Sequence, residues 1–205
     1  MLIAGAGGHA VEVLDVLLES YPRKSIAFFD DVTEIKFVHG IFPVLKSLHE
    51  AKSWLQRDPH FCLGVGKPAL RRALYSKLIG VGGQLVGIKA KSAVVSGFAG
   101  NFSWPIDLMC QSFISCCTQI GIGTLINHGV KVHHNVGIGE FCEIGPGAIL
   151  LGAVEIGNDC LIGAGATILP KVKLAKNVVV GAGAVVTIDL TLAGIYGGVP
   201  AKRLK

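Results

Sequence analysis

A six-residue period governs the second half of the chain. Stepping by six from Phe102 meets Leu108, Ile114, Ile120, Ile126, Val132, Ile138, Ile144, Leu150, Ile156, Ile162, Ile168, Leu174, Val180 and Val186, fifteen bulky apolar residues without a break. Four places after each member from Ile120 to Val180 stands a small or β-branched residue, from Thr124, Val130 and Val136 through Cys142 and Cys160 to Ala184. A helix repeats every 3.6 residues and a strand every two, so neither keeps such a register. A chain that turns a corner every six residues does, with one large residue pointing inward on each flat side. Glycine, 28 of 205 residues, is at roughly twice its usual share and shows no collagen triplet. It follows the large residue at 121, 139, 145, 157, 163 and 181, which reads as the corner needing permissive backbone angles.

The pattern resembles the hexapeptide-repeat, left-handed parallel β-helix, whose three sides make an 18-residue coil stacked at strand spacing of about 4.8 Å. It covers about 102–187, close to five coils. Further back Ser96 takes an inward slot and 97–105 is irregular, so a distorted first coil is expected there.

Residues 1–88 follow another rule, with short apolar runs alternating with amphipathic stretches, as in a small parallel sheet flanked by helices. Strands are expected at Leu2 to Ala4, Ser25 to Phe29, Phe61 to Val65 and Gln84 to Ile88. Helices are expected on the Ala10, Val13, Leu14, Leu17, Leu18 stripe, over Leu45 to Gln56, and from Pro68 to Ile79 with proline in the first turn. The organisation is thus an α/β domain over 1–88, a β-helix over 89–187 and a C-terminal tail over 188–205.

With 51% hydrophobic and 16% charged residues the chain buries a sizeable core, which excludes a disordered tail or a coiled coil. The net charge of +5 comes from scattered lysines and arginines without an aromatic-interleaved stripe, favouring small anionic ligands over nucleic acid. No apolar run reaches the length of a membrane span. The six cysteines form no CxxC pair and Met1 leads straight into Leu2-Ile3-Ala4 without a charged leader, so a reducing, cytoplasmic setting is expected.

Gly5-Ala6-Gly7-Gly8-His9-Ala10 fits G-x-G-x-x-G/A between a strand and a helix, and Asp30-Asp31 ends the next strand. Such a loop offers backbone amides to phosphate oxygens, and an acidic residue there can hold a ribose hydroxyl or a base edge. It serves a nucleotide's pyrophosphate, a nicotinamide cofactor, or merely a turn. A second strand-to-helix loop, Gly64-Val65-Gly66-Lys67 followed by Arg71, would face the same crevice and adds two cations to the phosphate reading. His128, His133 and His134 invite zinc. His128 and His134 differ by six, however, and point from adjacent sides of a coil, so no metal is expected. Cys142 and Cys160, 18 apart, could form a stacked acyl-accepting pair, but their small inward slots favour inert core filling. Cys110, Cys116 and Cys117 have no evident base beside them.

The run Ile126-Asn127, Val132-His133-His134-Asn135-Val136-Gly137-Ile138-Gly139-Glu140-Phe141, Gly147-Ala148, Leu151-Gly152, with Gly198-Val199-Pro200-Ala201-Lys202-Arg203 near the end, resembles the bacterial sugar acetyltransferases. Nearest are the acetyl-CoA-dependent N-acetyltransferases of nucleotide-linked 4-amino-sugars, of bacillosamine and perosamine type, with sialic acid O-acetyltransferases as a second branch. The resemblance spans nearly the whole chain. It implies a homotrimer with sites between subunits and acetyl-CoA as cosubstrate. His134 would be the general base taking the proton as the amine attacks the thioester. Asn135 stands where relatives often carry an acid; an amide orients the imidazole without adding charge, and Glu140 and Glu143 are substitutes for that acid. Gly152, one coil beyond His134, would supply an oxyanion-stabilising amide. For acetyl-CoA the resemblance marks Glu143, Gly152, Ala164, Ala182, Pro200 and Lys202. For the nucleotide-linked amino-sugar, the loop residues Gly7, Gly8, His9, Asp30, Asp31, Gly66, Lys67 and Arg71 are the binding set. The competing functions are O-acetylation of a sugar hydroxyl, a non-catalytic nucleotide-sugar-binding protein and a metal-dependent hydratase.

Overall fold

The computed structural model describes residues 1–100 and 105–204. The chain divides into two compact units, Met1–Ile88 and Lys89–Lys205. The expected irregular stretch over 97–105 lies partly outside the described residues, as does Phe102.

The first unit runs β1 (Leu2–Ala4), α1 (Gly8–Leu18), β2 (Ala27–Phe29), β3 (Phe37–Val38), β4 (Phe42–Leu45), α2 (Leu48–Leu55), β5 (His60–Leu63), α3 (Pro68–Ile79) and β6 (Gln84–Leu85). The sheet order is β3-β4-β2-β1-β5-β6, parallel throughout except that β3 pairs antiparallel with β4. Leu2, Ile3, Ala4, Phe28, Phe29, Phe61 and Leu63 have no solvent exposure, as befits parallel strands covered on both faces. The chain moves from β1 to β2 on one side and returns to β5 on the other. The strand order therefore reverses at β1, where open α/β sheets bind ligands at the carboxyl ends of their strands.

Several boundaries differ from expectation. β2 starts at Ala27 because Arg23–Ser25 forms a short 3₁₀ turn. α2 starts at Leu48, after Leu45 has joined the sheet; Ser47 caps it by accepting from the Glu50 amide at 3.2 Å, and Glu50 reaches back to the Lys46 amide. β5 ends at Leu63 and β6 at Leu85. The β3–β4 hairpin departs from the sequence pattern, since Pro43 argues against a paired strand. Its three-residue connection turns at His39 and Gly40, both at positive φ, with the Ile41 amide donating to the Val38 carbonyl at 3.1 Å.

The second unit is the expected left-handed β-helix. One face stacks Gln119–Ile120, Gly137–Ile138, Glu155–Ile156 and Lys173–Leu174 in parallel at 18-residue intervals. A second carries Asp107–Leu108, Leu125–Ile126, Glu143–Ile144, Leu161–Ile162 and Val178–Val180. The third carries Val94–Val95, Phe113–Ile114, Lys131–Val132, Ile149–Leu150, Thr167–Ile168 and Val185–Val186. The large residue of each repeat points inward, and Cys142 and Cys160 are fully buried beside them, with Sγ atoms 3.2 Å from the Gly157 carbonyl and 3.1 Å from that of Ala175.

The corners are not where the glycine pattern placed them. Positive φ recurs every six residues from Gln111 through Cys117, Gly123, Gly129, Asn135 and Phe141 to Gly183, three places after the large residue. The glycines directly after the large residue answer a different demand. A β-carbon on Gly121, Gly157 or Gly163 would lie 2.5–2.6 Å from the backbone of the next coil, so these glycines permit close stacking.

Val94 pairs with Phe113, Val95 with Ile114 and Lys89 with Leu108, an offset of 19 that puts Val95, rather than Ser96, in register with the inward ladder. Nor is 188–205 a separate tail. Gly194–Gly197 adds in parallel to Val178–Val180, and Lys202–Arg203 folds back antiparallel on Tyr196–Gly197, covering an edge that would otherwise be open. Among the described residues no helix is long and apolar enough to cross a membrane, and the six cysteines are free.

Candidate functional site

The candidate site residues gather in two places, one in each unit. In the first, the β1–α1 loop turns at Gly5, whose φ of 110° and close contact with Val65 (2.8 Å from a would-be β-carbon) demand glycine. Gly7 and Gly8 are different. They are exposed, neither has a positive φ, and a β-carbon at either meets nothing within 4 Å. Among the described residues nothing requires glycine there, which leaves room for a ligand to approach the backbone. Gly7 caps α1 without a side-chain bond and the first turn holds no acidic residue, so the terminal amides stand open to an anion. His9 points Nδ1 at Glu12 Oε2 at 2.9 Å; its Nε2 is buried with no partner among the described residues.

Asp30, expected to hold a ribose hydroxyl or a base edge, is also bonded within its own unit. One carboxylate oxygen accepts from the amides of Val32 and Thr33 at 2.9 Å and the other from Ala6 at 3.2 Å. Burial alone would raise its pKa, but these three amides and the nearby Lys46 ammonium outweigh that and hold it below its ordinary value. Asp30 thus ties the glycine loop to the end of β2. Asp31, by contrast, pairs with Lys77 Nζ of α3 at 2.7 Å. Both line a cavity of about 350 Å³ with Gly5, Phe29, Val32, Val65, Leu70 and Leu74. Lys46 and Lys77 carried no evident sequence signal, because their partners are distant in the chain.

In the second strand-to-helix loop, Gly66 is half-buried and Lys67 exposed as the cap of α3. Arg71 corrects the expectation of a phosphate-facing cation. It is fully buried and donates to the Val65 carbonyl at 2.7 Å and that of Leu63 at 3.3 Å, bracing the loop from behind.

In the β-helix the triangular cross-section sorts residues onto three edges. His134, Gly152 and Pro170 share one edge at 18-residue spacing. His134 is exposed, and its Nδ1 lies 2.9 Å from Asn135 Oδ1. With Asn135 Oδ1 as acceptor, the neutral tautomer that suits this contact carries its proton on Nδ1 and keeps a lone pair on Nε2. Asn135 also takes the positive-φ corner, φ 60°, a conformation asparagine tolerates better than most residues. A β-carbon at Gly152 would fall 2.6 Å from His134 Cε1 and 2.7 Å from Nε2, so only glycine leaves the ring its place.

The amides of Gly152, Ala164 and Ala182 donate to no group among the described residues. The reason is positional: the residue two places after each large one aims its N–H outward, and Pro146 and Pro170, which have none, occupy that position without loss. Ala164 and Ala182 share an edge with His128 and Pro146, not with His134. His128 and His134 therefore stand on separate edges, and among the described residues no three metal-ligating side chains gather. Glu143 lies outward on the face opposite the His134 edge, paired with Leu125 and Leu161. Glu140 occupies the third edge, its amide bound to Asn158 Oδ1 at 2.9 Å. Neither acid is brought to His134, leaving Asn135 as its partner. Cys116, expected to have no base beside it, is one coil below His134 on the same edge, and the Asn135 amide donates to its carbonyl at 3.1 Å; subtracting 18 from 134 would have found it. Pro200, in the turn between Gly194–Gly197 and Lys202–Arg203, and Lys202, in the last strand, are exposed.

Comparison with known proteins matches residues 1–78 to the PglD N-terminal domain and 153–187 to the bacterial transferase hexapeptide repeats. PerB from Caulobacter crescentus, solved in complex with CoA and GDP-perosamine, is 30% identical over 100% of this chain and 96% of its own, with a TM-score of 0.88. The acetyltransferase domain of PglB from Neisseria gonorrhoeae, solved with acetyl coenzyme A, is 29% identical over 99% and 98%, also at 0.88. A histidine-to-alanine mutant of the Caulobacter GDP-perosamine N-acetyltransferase, with the same two ligands, is 29% identical over 100% and 96%, at 0.86. With both units matched in order and end to end, the chain belongs to the bacterial hexapeptide-repeat sugar N-acetyltransferases, the family of PerB and PglB.

Proposed function

We propose that the chain transfers acetyl from acetyl-CoA to the amine of a nucleotide-linked amino sugar, a 4-amino-sugar by its resemblance, with His134 as general base. The observation that carries this is the His134 edge, where the tautomer that suits Asn135 leaves Nε2 free beside a glycine with an unused amide. The sugar amine attacks the thioester carbonyl and His134 Nε2 accepts its proton. The oxyanion of the tetrahedral intermediate takes a hydrogen bond from the Gly152 amide. The intermediate then collapses, the carbon–sulfur bond breaks, and the imidazolium returns the proton to the departing CoA thiolate. No covalent enzyme intermediate is needed, in keeping with Cys142 and Cys160 being buried.

The open α1 terminus with Gly7 and Gly8 suits the acceptor's pyrophosphate, with Gly66 and Lys67 as its second loop and the Asp31 cavity beside it. For acetyl-CoA, the open amides of Ala164 and Ala182 suit the pantetheine arm, and Pro200 and Lys202 its nucleotide end, with Glu143 alongside. Because the alanines and His134 occupy different edges of one β-helix, the cosubstrate site is complete only when a second copy brings its Ala164 edge against the first copy's His134 edge, which a homotrimer achieves. A cytoplasmic setting matches the acetyl-CoA supply.

The test is release of CoA thiol from acetyl-CoA with UDP-, GDP- and dTDP-linked 4-amino-sugars, beside sialic acid and hydroxyl-only sugars. One nucleotide-linked amine should turn over, and His134→Ala should lower kcat roughly 10²–10⁴-fold while sparing acetyl-CoA binding. Turnover confined to hydroxyl acceptors, or an unchanged kcat in His134→Ala, defeats the proposal.

A further inference from the structure

At the amino ends of the strands of the α/β unit, the end opposite the glycine loop, lies a second cavity, of about 430 Å³. Acyl transfer makes no use of it. The topology builds it: Ile26 and Ile41 directly precede β2 and β4, and α2, running back against the strands, returns Trp54 of its last turn to the same end. Ile26, Ile41, Pro43 and Trp54 line the cavity together with Arg23 and Lys24 of the 3₁₀ turn before β2. Ile41 is 56% exposed, and an apolar wall left open around a concavity suits an apolar ligand part.

Two features of the lining answer no demand of the fold. The Nε1 of Trp54 is buried with no hydrogen-bond partner among the described residues, although a buried indole N–H usually finds one and an unmet donor costs stability. Arg23 and Lys24 are adjacent and exposed, and among the described residues their side chains form no ion pair or hydrogen bond. Asp58, the acid before β5, is taken up by the Met1 ammonium and by His60. Beyond these two cations and the indole N–H, the lining side chains are apolar.

We infer that this cavity binds a phosphate monoester carrying a flat apolar group, with Arg23 and Lys24 on the phosphate and the flat group against Trp54 and Pro43. The charges favour a phosphate monoester over a carboxylate, because two unpaired cations match its near-double negative charge. The guanidinium fork of Arg23 fits two phosphate oxygens at once, and the Lys24 ammonium adds a point charge. A ligand that draws the indole outward gives Nε1 the acceptor it lacks. The apolar group is required because a bare phosphate would leave the wall of Ile26, Ile41 and Pro43 unfilled. The site is separate from the glycine loop and does not rest on the reading of the acceptor.

The experiment is titration of the full chain with phenyl phosphate, followed in ¹H–¹⁵N correlation spectra through the indole N–H signals. Trp54 and Trp104 are the two tryptophans, and Trp54→Phe assigns the Trp54 signal. That signal should move downfield and saturate. Inorganic phosphate and benzyl alcohol, each lacking half of the ligand, should bind at least about tenfold more weakly. The double variant Arg23→Gln, Lys24→Gln should lose at least about tenfold in affinity for phenyl phosphate at an unchanged melting temperature. The charge-keeping exchange Arg23→Lys, Lys24→Arg should stay within about threefold. An unmoved Trp54 signal, or a Gln double variant that binds phenyl phosphate as tightly as wild type, would overturn the inference. A double variant that lost melting temperature and no affinity would assign the two cations to the carboxyl end of α2 instead. Inorganic phosphate binding as tightly as phenyl phosphate would overturn the apolar half of the site.

Discussion

The two units use glycine for opposite purposes. In the β-helix, Gly157 and Gly163 are demanded by the next coil of the same chain, whose backbone a β-carbon would strike. In the α/β unit, Gly7 and Gly8 face open space and satisfy no internal demand. Gly152 lies between these cases, since it occupies a helix position but clears a side chain, His134. What a glycine's β-carbon would meet thus separates architecture from function more sharply than glycine's presence in a motif, and substitution by alanine tests the distinction directly.

The largest effect belongs to Gly152→Ala. The obstructed atoms are the far end of a solvent-exposed imidazole, which can swing away, so thermal stability should stay near wild type. The ring would lose its alignment and the amide its approach, and kcat should fall about 10²-fold. A melting temperature that drops in step with activity would instead make Gly152 another stacking glycine. Gly163→Ala should behave inversely. Its β-carbon would lie 2.5 Å from the Ala182 nitrogen and 2.7 Å from the Gly181 carbonyl carbon, backbone atoms that cannot yield cheaply. A stability loss of about 1–3 kcal/mol is expected, measured by denaturant unfolding, and wild-type stability would show that coils can part without cost.

Gly7→Ala completes the set. The backbone angles there are open to alanine, so stability should hold or rise slightly. Affinity for a nucleoside diphosphate should weaken about tenfold if the ligand's phosphates approach this backbone. Unchanged affinity would make the loop a turn and nothing more.

These contrasts also mark how far the residues could be read in advance. The period of six was enough for the three faces, the inward ladder and the shared edge of His134 and Gly152, because each β-helix coil contacts only its neighbours and position in the repeat fixes position in space. The corner was misread because glycine marks two positions of the repeat, one for backbone angle and one for close approach, and Asn135, Phe141 and Lys171 hold the positive-φ corner without being glycine. In the α/β unit the strands around β1 were legible from their apolar runs. The roles of Asp30, Arg71 and Lys77 were not, because each is set by a partner on another element: the Ala6 amide, the Val65 carbonyl and the Asp31 carboxylate. A charged residue at a loop mouth looks the same in sequence whether it turns outward to a phosphate or inward to a carbonyl.

Asp30 gives the smallest and most diagnostic effect, because it separates a group that shapes the crevice from one that reads its occupant. In Asp30→Asn the side-chain amide would keep an oxygen for the Val32 and Thr33 amides but turn its NH₂ toward the Ala6 amide, donor against donor. The substitution should therefore cost about 1 kcal/mol at neutral pH, after allowance for solvent screening. Since the folded protein holds the carboxyl below its ordinary value of 3.8, the carboxylate's stabilisation is fully present above that unfolded value and is lost as pH falls through the folded one. The stability difference between wild type and Asp30→Asn should accordingly stay constant from pH 7 down to about 5 and shrink below about 4. A difference that persisted undiminished into that acid range would mean that neutral packing, rather than the ionised carboxylate, joins the glycine loop to β2.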